Sequence, residues 1–287
     1  MINRLTIYGV GLIGGSLARA LKAAGAVAEI VGYGRHVAPL QKALELGVID
    51  RYETDPAAAV QGSDVVLLGV PVGAMEAVLS ELKPHLDSNT ILTDVGSTKG
   101  SVVRAAEKVF GTLPPRFVPG HPIAGTEKSG VEASFAELYQ QRRVILTPNA
   151  DTDSVALETV RWMWQQAGAT VTDMPVAHHD EVLAATSHLP HILAFTLVDT
   201  LARLEDHDDI FRFAAGGFRD FTRIASSNPQ MWHDICLNNR EALLKMVGRF
   251  SAELATLTAA IERGDSAAIL QTFERAKAAR DSYCETI

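Results

Sequence analysis

The chain has 287 residues, enough for two domains of ordinary size, and 47% of them are apolar, which supplies a large core and argues against disorder. A formal net charge of −8 argues against a nucleic-acid or anionic-membrane surface, while leaving room for a local basic pocket. Cys236 and Cys284 are too few and too far apart for a disulfide framework or a cysteine zinc site, and no metal is expected.

Met1 runs straight into a β-rich segment with no signal or transit peptide before it. The longest apolar run, 65–75, is well short of the ~18 residues of a membrane span. A soluble, cytoplasmic protein is expected. The first half then alternates strand and helix. Strands are predicted at 5–10, 30–33, 65–70 and 91–95, and helices at 13–24, 40–46, 74–82 and 101–110. Gly47 stops the second helix, Pro71 the third strand and Pro84 the third helix. Shorter strands follow at 116–118, 144–147 and 170–172, with a helix at 154–166 between the last two. Such alternation predicts a mostly parallel sheet covered on both faces.

Near Asp173-Met174-Pro175 the pattern changes to helices only, at 176–187, 190–204, 210–213, 229–261 and 266–282. The predicted organisation is an α/β dinucleotide-binding domain over 1–174 and an all-α domain over 175–287. A helix as long as 229–261 has too few neighbours to cover its apolar face, so a homodimer through the helical domain is expected.

Gly9-Val10-Gly11-Leu12-Ile13-Gly14 is GxGxxG between a strand and a helix, the context that gives this pattern its meaning. Gly9 permits the tight turn, Gly11 lets the backbone approach a pyrophosphate, and Gly14 lets helix and strand pack closely. The amides at Leu12 and Ile13 open the helix towards the phosphates. About 20 residues on, where an NAD enzyme carries Asp or Glu, the chain has Gly34, followed by Arg35 and His36. A small residue plus a cation, with His36 as a second donor, suits a 2′-phosphate, so NADP is favoured over NAD; the other reading leaves Arg35 in solvent and both cofactors usable.

Asp94-Val95-Gly96-Ser97-Thr98-Lys99 ends a strand at the edge where α/β sheets bind ligands. Ser97 either hydrogen-bonds a substrate oxygen or caps the next helix. His121, between Gly120 and Pro122, is held extended in a loop, and histidine exchanges protons near neutral pH. Ser187-His188-Leu189-Pro190-His191 carries two histidines three residues apart. No third ligand stands at a metal-binding spacing despite His178, His179 and Asp180 nearby, so His191 is read as a binding residue at a helix start. The stretch 214–223, with paired glycines, Arg219 and Arg223, lies in a locally basic region that suits an anionic small molecule.

In the order GVGLIGGSLA, DVGSTK, HPIAGTEKSG, SHLPH, GGFRDFTRIA and NPQMW, the chain resembles the prephenate/arogenate (cyclohexadienyl) dehydrogenases of tyrosine biosynthesis over nearly its whole length. The resemblance implies a Rossmann-type domain and a helical dimerisation domain with the active site between them. It also implies oxidative decarboxylation of a cyclohexadienol by hydride transfer to NAD(P). Matched motif by motif, it makes His121 the acceptor of the 4-hydroxyl proton and Ser97 its assistant. His191 and Arg223 would hold the substrate, Arg223 at the ring carboxylate, with Thr126 and Gly217 as further contacts. A β-hydroxyacid-type dehydrogenase and a non-catalytic NADP-sensing protein are the rival readings. The first lacks its helical lysine pattern around 240–245, and the second does not explain Ser97, His121, His191 and Arg223 together.

Overall fold

Short apolar runs punctuated by glycine and proline fold into alternating strands and helices. The structure is a computed structural model describing residues 1–285. In chain order the first elements are β1 (Ile2–Tyr8), α1 (Leu12–Ala23), β2 (Val27–Tyr33), α2 (Val37–Glu45), β3 (Arg51–Glu53), α3 (Pro56–Val60), β4 (Val65–Leu68), α4 (Met75–Leu82), β5 (Ile91–Asp94), α5 (Lys99–Phe110) and β6 (Phe117–Val118). Their strands form one parallel sheet in the order β3-β2-β1-β4-β5-β6. Every residue of β4 and β5 is buried, as strands covered on both faces must be. Leu5, Ile7, Ile30 and Leu67 pack with Leu17 and Leu21 of α1 in one core, while Tyr8, Val66 and Leu68 pack with Leu79 and Val102 in another. The strand order reverses direction between β1 and β4, the switch point at which this architecture opens a ligand crevice.

The chain continues through β7 (Gly120–Pro122), β8 (Arg143–Leu146), α6 (Ser154–Gln166) and β9 (Thr170–Asp173). These strands make a separate three-stranded sheet, β7-β8-β9, with β7 antiparallel to β8. His121 therefore lies in a short strand opposite Ile145, and not in the expected loop. The cause is the restriction already visible in sequence: a residue before proline is pushed to extended dihedrals, and an extended segment beside β8 becomes a strand.

The remaining elements are helical: α7 (Val176–Leu183), α8 (Leu189–Ala202), α9 (His207–Arg212), α10 (Gly216–Thr222), α11 (Pro229–Asn238), α12 (Arg240–Glu262) and α13 (Ser266–Glu285). Among the described residues no strand follows β9. The two helices expected on either side of Pro190 are one continuous helix, Val176–Ala202, with a π-helical turn at Ala184–His188 between α7 and α8. Pro190 lacks the N–H that an α-turn needs, and the wider turn absorbs that loss without ending the helix. By length and composition alone this helix could cross a membrane, and only 28% of its most apolar window is buried within the chain. The single helix expected over 229–261 is instead two, broken at Asn239 (φ −113°, ψ 32°), whose buried side-chain amide donates to the Asp180 carbonyl (2.8 Å). By packing, the chain divides into compact units Met1–Arg240 and Glu241–Ile287. A change of element type at residue 174 thus differs from a change of packing partner, because α7 packs on α5.

Gly9 adopts φ +89°, and a Cβ there would meet the Gly69 carbonyl oxygen at 2.6 Å. Both atoms in that contact belong to backbone held by β1 and β4. Gly9→Ala is therefore expected to cost about 2–3 kcal/mol, read as a lowered thermal unfolding midpoint.

Candidate active site

The crevice above the switch point is built by the β1–α1 turn. Gly9 N–H donates to the Tyr33 carbonyl (3.0 Å), and Gly11 N–H turns back onto the Gly9 carbonyl (3.0 Å). A Cβ on Gly14 would meet Ile7 Cγ2 at 2.8 Å, so glycine is what allows α1 to lie against β1. Above Gly11 nothing lies within 4 Å of the position a Cβ would take. Gly11 is the N-cap of α1, whose first turn carries no acidic residue and no side-chain cap. Open space over a cap with free amides, those of Leu12, Ile13 and Gly14, fits a pyrophosphate. At the end of β2, Gly34 is half-buried while Arg35 and His36 are exposed. Neither Arg35 nor His36 takes a hydrogen bond or ion pair among the described residues. These residues leave the ribose end of a dinucleotide site open to solvent.

One strand over, Asp94 ends β5 and is fully buried with Lys99. The two are ion-paired, and together they grip the backbone of one residue on both sides: Gly120 N–H donates to Asp94 Oδ1 (3.1 Å), and Lys99 Nζ donates to the Gly120 carbonyl (2.6 Å). Asp94 Oδ2 also accepts from Gly96 N–H (2.7 Å). Burial pushes the Lys99 ammonium down, and the Asp94 charge opposes that shift. The clamp fixes the residue immediately before His121. Ser97 stands in the same loop, half-buried and without a hydrogen bond among the described residues. It is not the helix cap: Thr98 holds that position, and its hydroxyl bonds the Ser101 hydroxyl (2.6 Å) and caps no backbone amide. The capping comes from Asp180, which accepts from Lys99 N–H (2.8 Å) and Gly100 N–H (2.9 Å).

His121 is buried, and its Nδ1 lies 2.9 Å from His179 Nε2. His179 Nδ1 lies 2.8 Å from Asp180 Oδ1. Burial, followed by repulsion from His179, Lys99 and His188, pushes the His121 imidazole well below its ordinary range. Burial also lowers His179, against the opposing bond to Asp180. His121 is thus a neutral imidazole at pH 7, the form a proton acceptor needs.

His191 lies within the continuous helix and not at a free helix start. Its Nδ1 donates to the Ser187 carbonyl (2.8 Å), and its ring stacks on buried Trp232 with centroids 3.6 Å apart. His188 Nδ1 accepts from Asn239 Nδ2 (3.0 Å). Both histidines therefore have a ring nitrogen committed to protein partners, and among the described residues no group of three or more His, Cys, Asp or Glu could hold a metal. Arg223, exposed after α10, is ion-paired with Glu127 in the 123–130 loop. Thr126 is exposed in that loop, where its hydroxyl accepts from Lys128 N–H (3.1 Å). Gly217 is exposed in the first turn of α10. The sequence reading missed His179, Asp180, Asp94 and Lys99 as parts of the site. DVGSTK carried the last two, but nothing in the spacing said that a lysine five residues from an aspartate would turn inward.

The family profile described as "Prephenate dehydrogenase, nucleotide-binding domain" matches residues 17–173, and "Prephenate dehydrogenase, dimerization domain" matches 175–275. The chain is 40% identical over 283 residues to a cyclohexadienyl dehydrogenase of Zymomonas mobilis, covering 98% of this chain and 96% of that one. It is 38% identical over 285 residues to a prephenate dehydrogenase of Bacillus subtilis, covering 98% of this chain and 76% of the relative. Among solved structures, prephenate dehydrogenase from Aquifex aeolicus in complex with hydroxyphenyl propionate and NAD+ superposes with a TM-score of 0.92 at 39% identity, covering 99% of each chain.

The buried imidazoles also make stability depend on pH. Burial lowers His188 to about 4 against the opposing attraction of Asp180, with smaller repulsions from His179 and His191 adding to the fall. The unfolded chain takes up its proton from about pH 6.5 downward, while the folded chain resists to about 4, so stability is full above pH 6.5 and declines through that window. The loss at His188 alone approaches about 3 kcal/mol by pH 4. Thermal unfolding midpoints should fall steadily between pH 6.5 and 4.5, and His188→Gln should flatten that slope.

Proposed function

The chain belongs to the prephenate dehydrogenase family, and on that premise we propose how its residues divide the work. It is an NAD(P)-dependent oxidoreductase that oxidatively decarboxylates prephenate, arogenate or both, in tyrosine biosynthesis. The observation that carries the assignment of roles is His121: a buried, neutral imidazole gripped through Gly120 at the carboxyl end of the sheet.

When bound, the nicotinamide accepts the hydride from the hydroxyl-bearing ring carbon. His121 takes the hydroxyl proton at Nε2, the ring nitrogen that His179 leaves free. As the hydroxyl carbon becomes a carbonyl, the bond to the ring carboxylate breaks, CO2 leaves, and its electron pair enters the ring, which becomes aromatic. Ser97, with its hydroxyl uncommitted, hydrogen-bonds the same substrate oxygen. His191 presents Nε2 to the substrate because its Nδ1 is spent on Ser187. Arg223 holds the ring carboxylate, taking it in exchange for the Glu127 carboxylate with which it now pairs. Thr126 and Gly217 add contacts from the 123–130 loop and from α10.

Gly9, Gly11, Leu12, Ile13 and Gly14 hold the pyrophosphate, and Gly34, Arg35 and His36 read the ribose. The Arg35 guanidinium, the neighbouring donor His36 and the missing acid favour NADP, although the Aquifex aeolicus relative carries NAD+. We keep a boundary near residue 174 between the nucleotide-binding part and the part that binds substrate and dimerises. A homodimer fits the apolar, little-buried Val176–Ala202 helix and the exposed Leu244, Leu254, Ile261, Leu270 and Phe273. A cytoplasmic location fits the family's biosynthetic role.

Initial rates with prephenate and arogenate, each with NAD and NADP, test this reading. His121→Asn should lower kcat by about 10³-fold while leaving cofactor affinity unchanged. In the unaltered enzyme kcat/KM should stay level from pH 8 down through 6.5 and fall only below, because the base protonates below the ordinary histidine range; a midpoint at or above 6.5 contradicts the base assignment. For the cofactor, Arg35→Ala should raise KM for NADP about tenfold, roughly 1.4 kcal/mol, with KM for NAD unaffected. Equal effects on both would remove Arg35 from cofactor selection.

A further inference from the structure

His179 and Asp180 are adjacent on α7, yet they reach different targets. His179 touches His121, and Asp180 receives the first amides of α5, two and three residues after Ser97. We propose that His179 and Asp180 form a positioning arm that fixes His121 with Nδ1 protonated and Nε2 bare, making Nε2 the atom that receives the substrate's hydroxyl proton. The inference rests on His121 being the base and adds the device that makes it one.

Burial alone would push the Asp180 carboxyl up, but the bonds from His179 and from the Lys99 and Gly100 amides outweigh it and hold the carboxyl below its ordinary range. An ionised carboxylate only accepts, so the proton between Asp180 and His179 sits on His179 Nδ1. Neutral His179 then has a bare Nε2, which can only accept from His121 Nδ1–H. Neutral His121 is left with a bare Nε2. Reversing the chain requires one of two costly arrangements. Either the His179 Nδ1 lone pair faces a carboxylate, or His179 becomes an imidazolium in a buried site that also holds the Lys99 charge. The groups packed around these rings are Asp94 from β5, Lys99 from α5 and His188 from the π-turn. Asp94 is already neutralised by Lys99, so Asp180 is the carboxylate left to set the order. The arrangement follows the general acid–base logic in which a carboxylate orients the base through its second nitrogen. Here an additional imidazole stands between them, and the same carboxylate anchors the helix that follows Ser97.

The test is nitrogen-15 NMR of the imidazoles at pH 7.5 in the NADP-bound protein, with kinetics of two variants. The expected spectrum has His121 protonated at Nδ1 and bare at Nε2, and His179 likewise. His179→Ala should lower kcat by at least about 100-fold with KM within about threefold. His179→Gln, whose amide oxygen can accept from His121 Nδ1–H, should recover at least about tenfold of that loss. A His121 protonated at Nε2, or a His179→Ala variant within about threefold of full kcat, overturns the arm. Should His179→Ala not fold, the spectrum of the unaltered protein decides. Turnover persisting in His121→Asn would instead defeat the base assignment itself, whereas a dead His121→Asn beside an unimpaired His179→Ala defeats only the arm.

Discussion

The ion pair between Asp94 and Lys99 is the contact on which the site's geometry depends. It is fully buried, and it belongs to neither sheet alone: Asp94 ends β5 of the six-stranded sheet, while the backbone both residues grip opens β7 of the small sheet. Two charges removed from water are stable only with partners and with their remaining donors and acceptors filled. Gly120 supplies both the N–H and the carbonyl for that purpose. The arrangement therefore works in two directions. The backbone satisfies the ions, and the ions locate the backbone. Loss of either charge would leave the other buried without its counter-ion, a defect costing about 3–5 kcal/mol, at the same moment as it freed the strand that carries His121.

The helical half contributes through irregularities more than through its regular turns. A π-turn lets one helix run through Pro190, so His179, Asp180, His188 and His191 all stand on a single element. The break at Asn239 lets a buried amide reach Asp180's carbonyl and His188's ring together. Each departure from ideal geometry lies beside a residue of the candidate site. Such placement is common, since π-bulges and caps free backbone and side-chain groups for other partners.

The sequence carried the nucleotide-binding half well because its signals are local. Glycines where the chain must turn, apolar runs of strand length and proline stops fix β1, α1, β4 and β5 within a few residues. It carried the individual residues of the motifs, His121, Ser97, His191 and Arg223, but not how they are held. The partners of His121 come from positions 94, 99 and 179, and no periodicity links them. Lysine is almost never fully buried, so nothing in the local sequence marks Lys99 for the interior; only its counter-charge in space does. Of the second sheet, β8 and β9 were legible, but β7 was not, for a similar reason: it is three residues long, and only its partner β8 makes it a strand. Helix ends in the second half were misplaced where proline acted against its usual meaning, Pro190 continuing a helix, and where asparagine kept its usual one unread, Asn239 capping a helix inside an otherwise periodic run.

The continuous helix Val176–Ala202 has one further consequence, for its cost in hydrocarbon. By length and composition alone the segment meets what a membrane span requires. His179, Asp180 and His188 interrupt that character, since ionisable side chains raise the free energy of entering hydrocarbon. The residues that surround His121 thus also raise the cost of placing this helix in hydrocarbon, and apolar replacements there would lower that cost as well as disturb the chemistry.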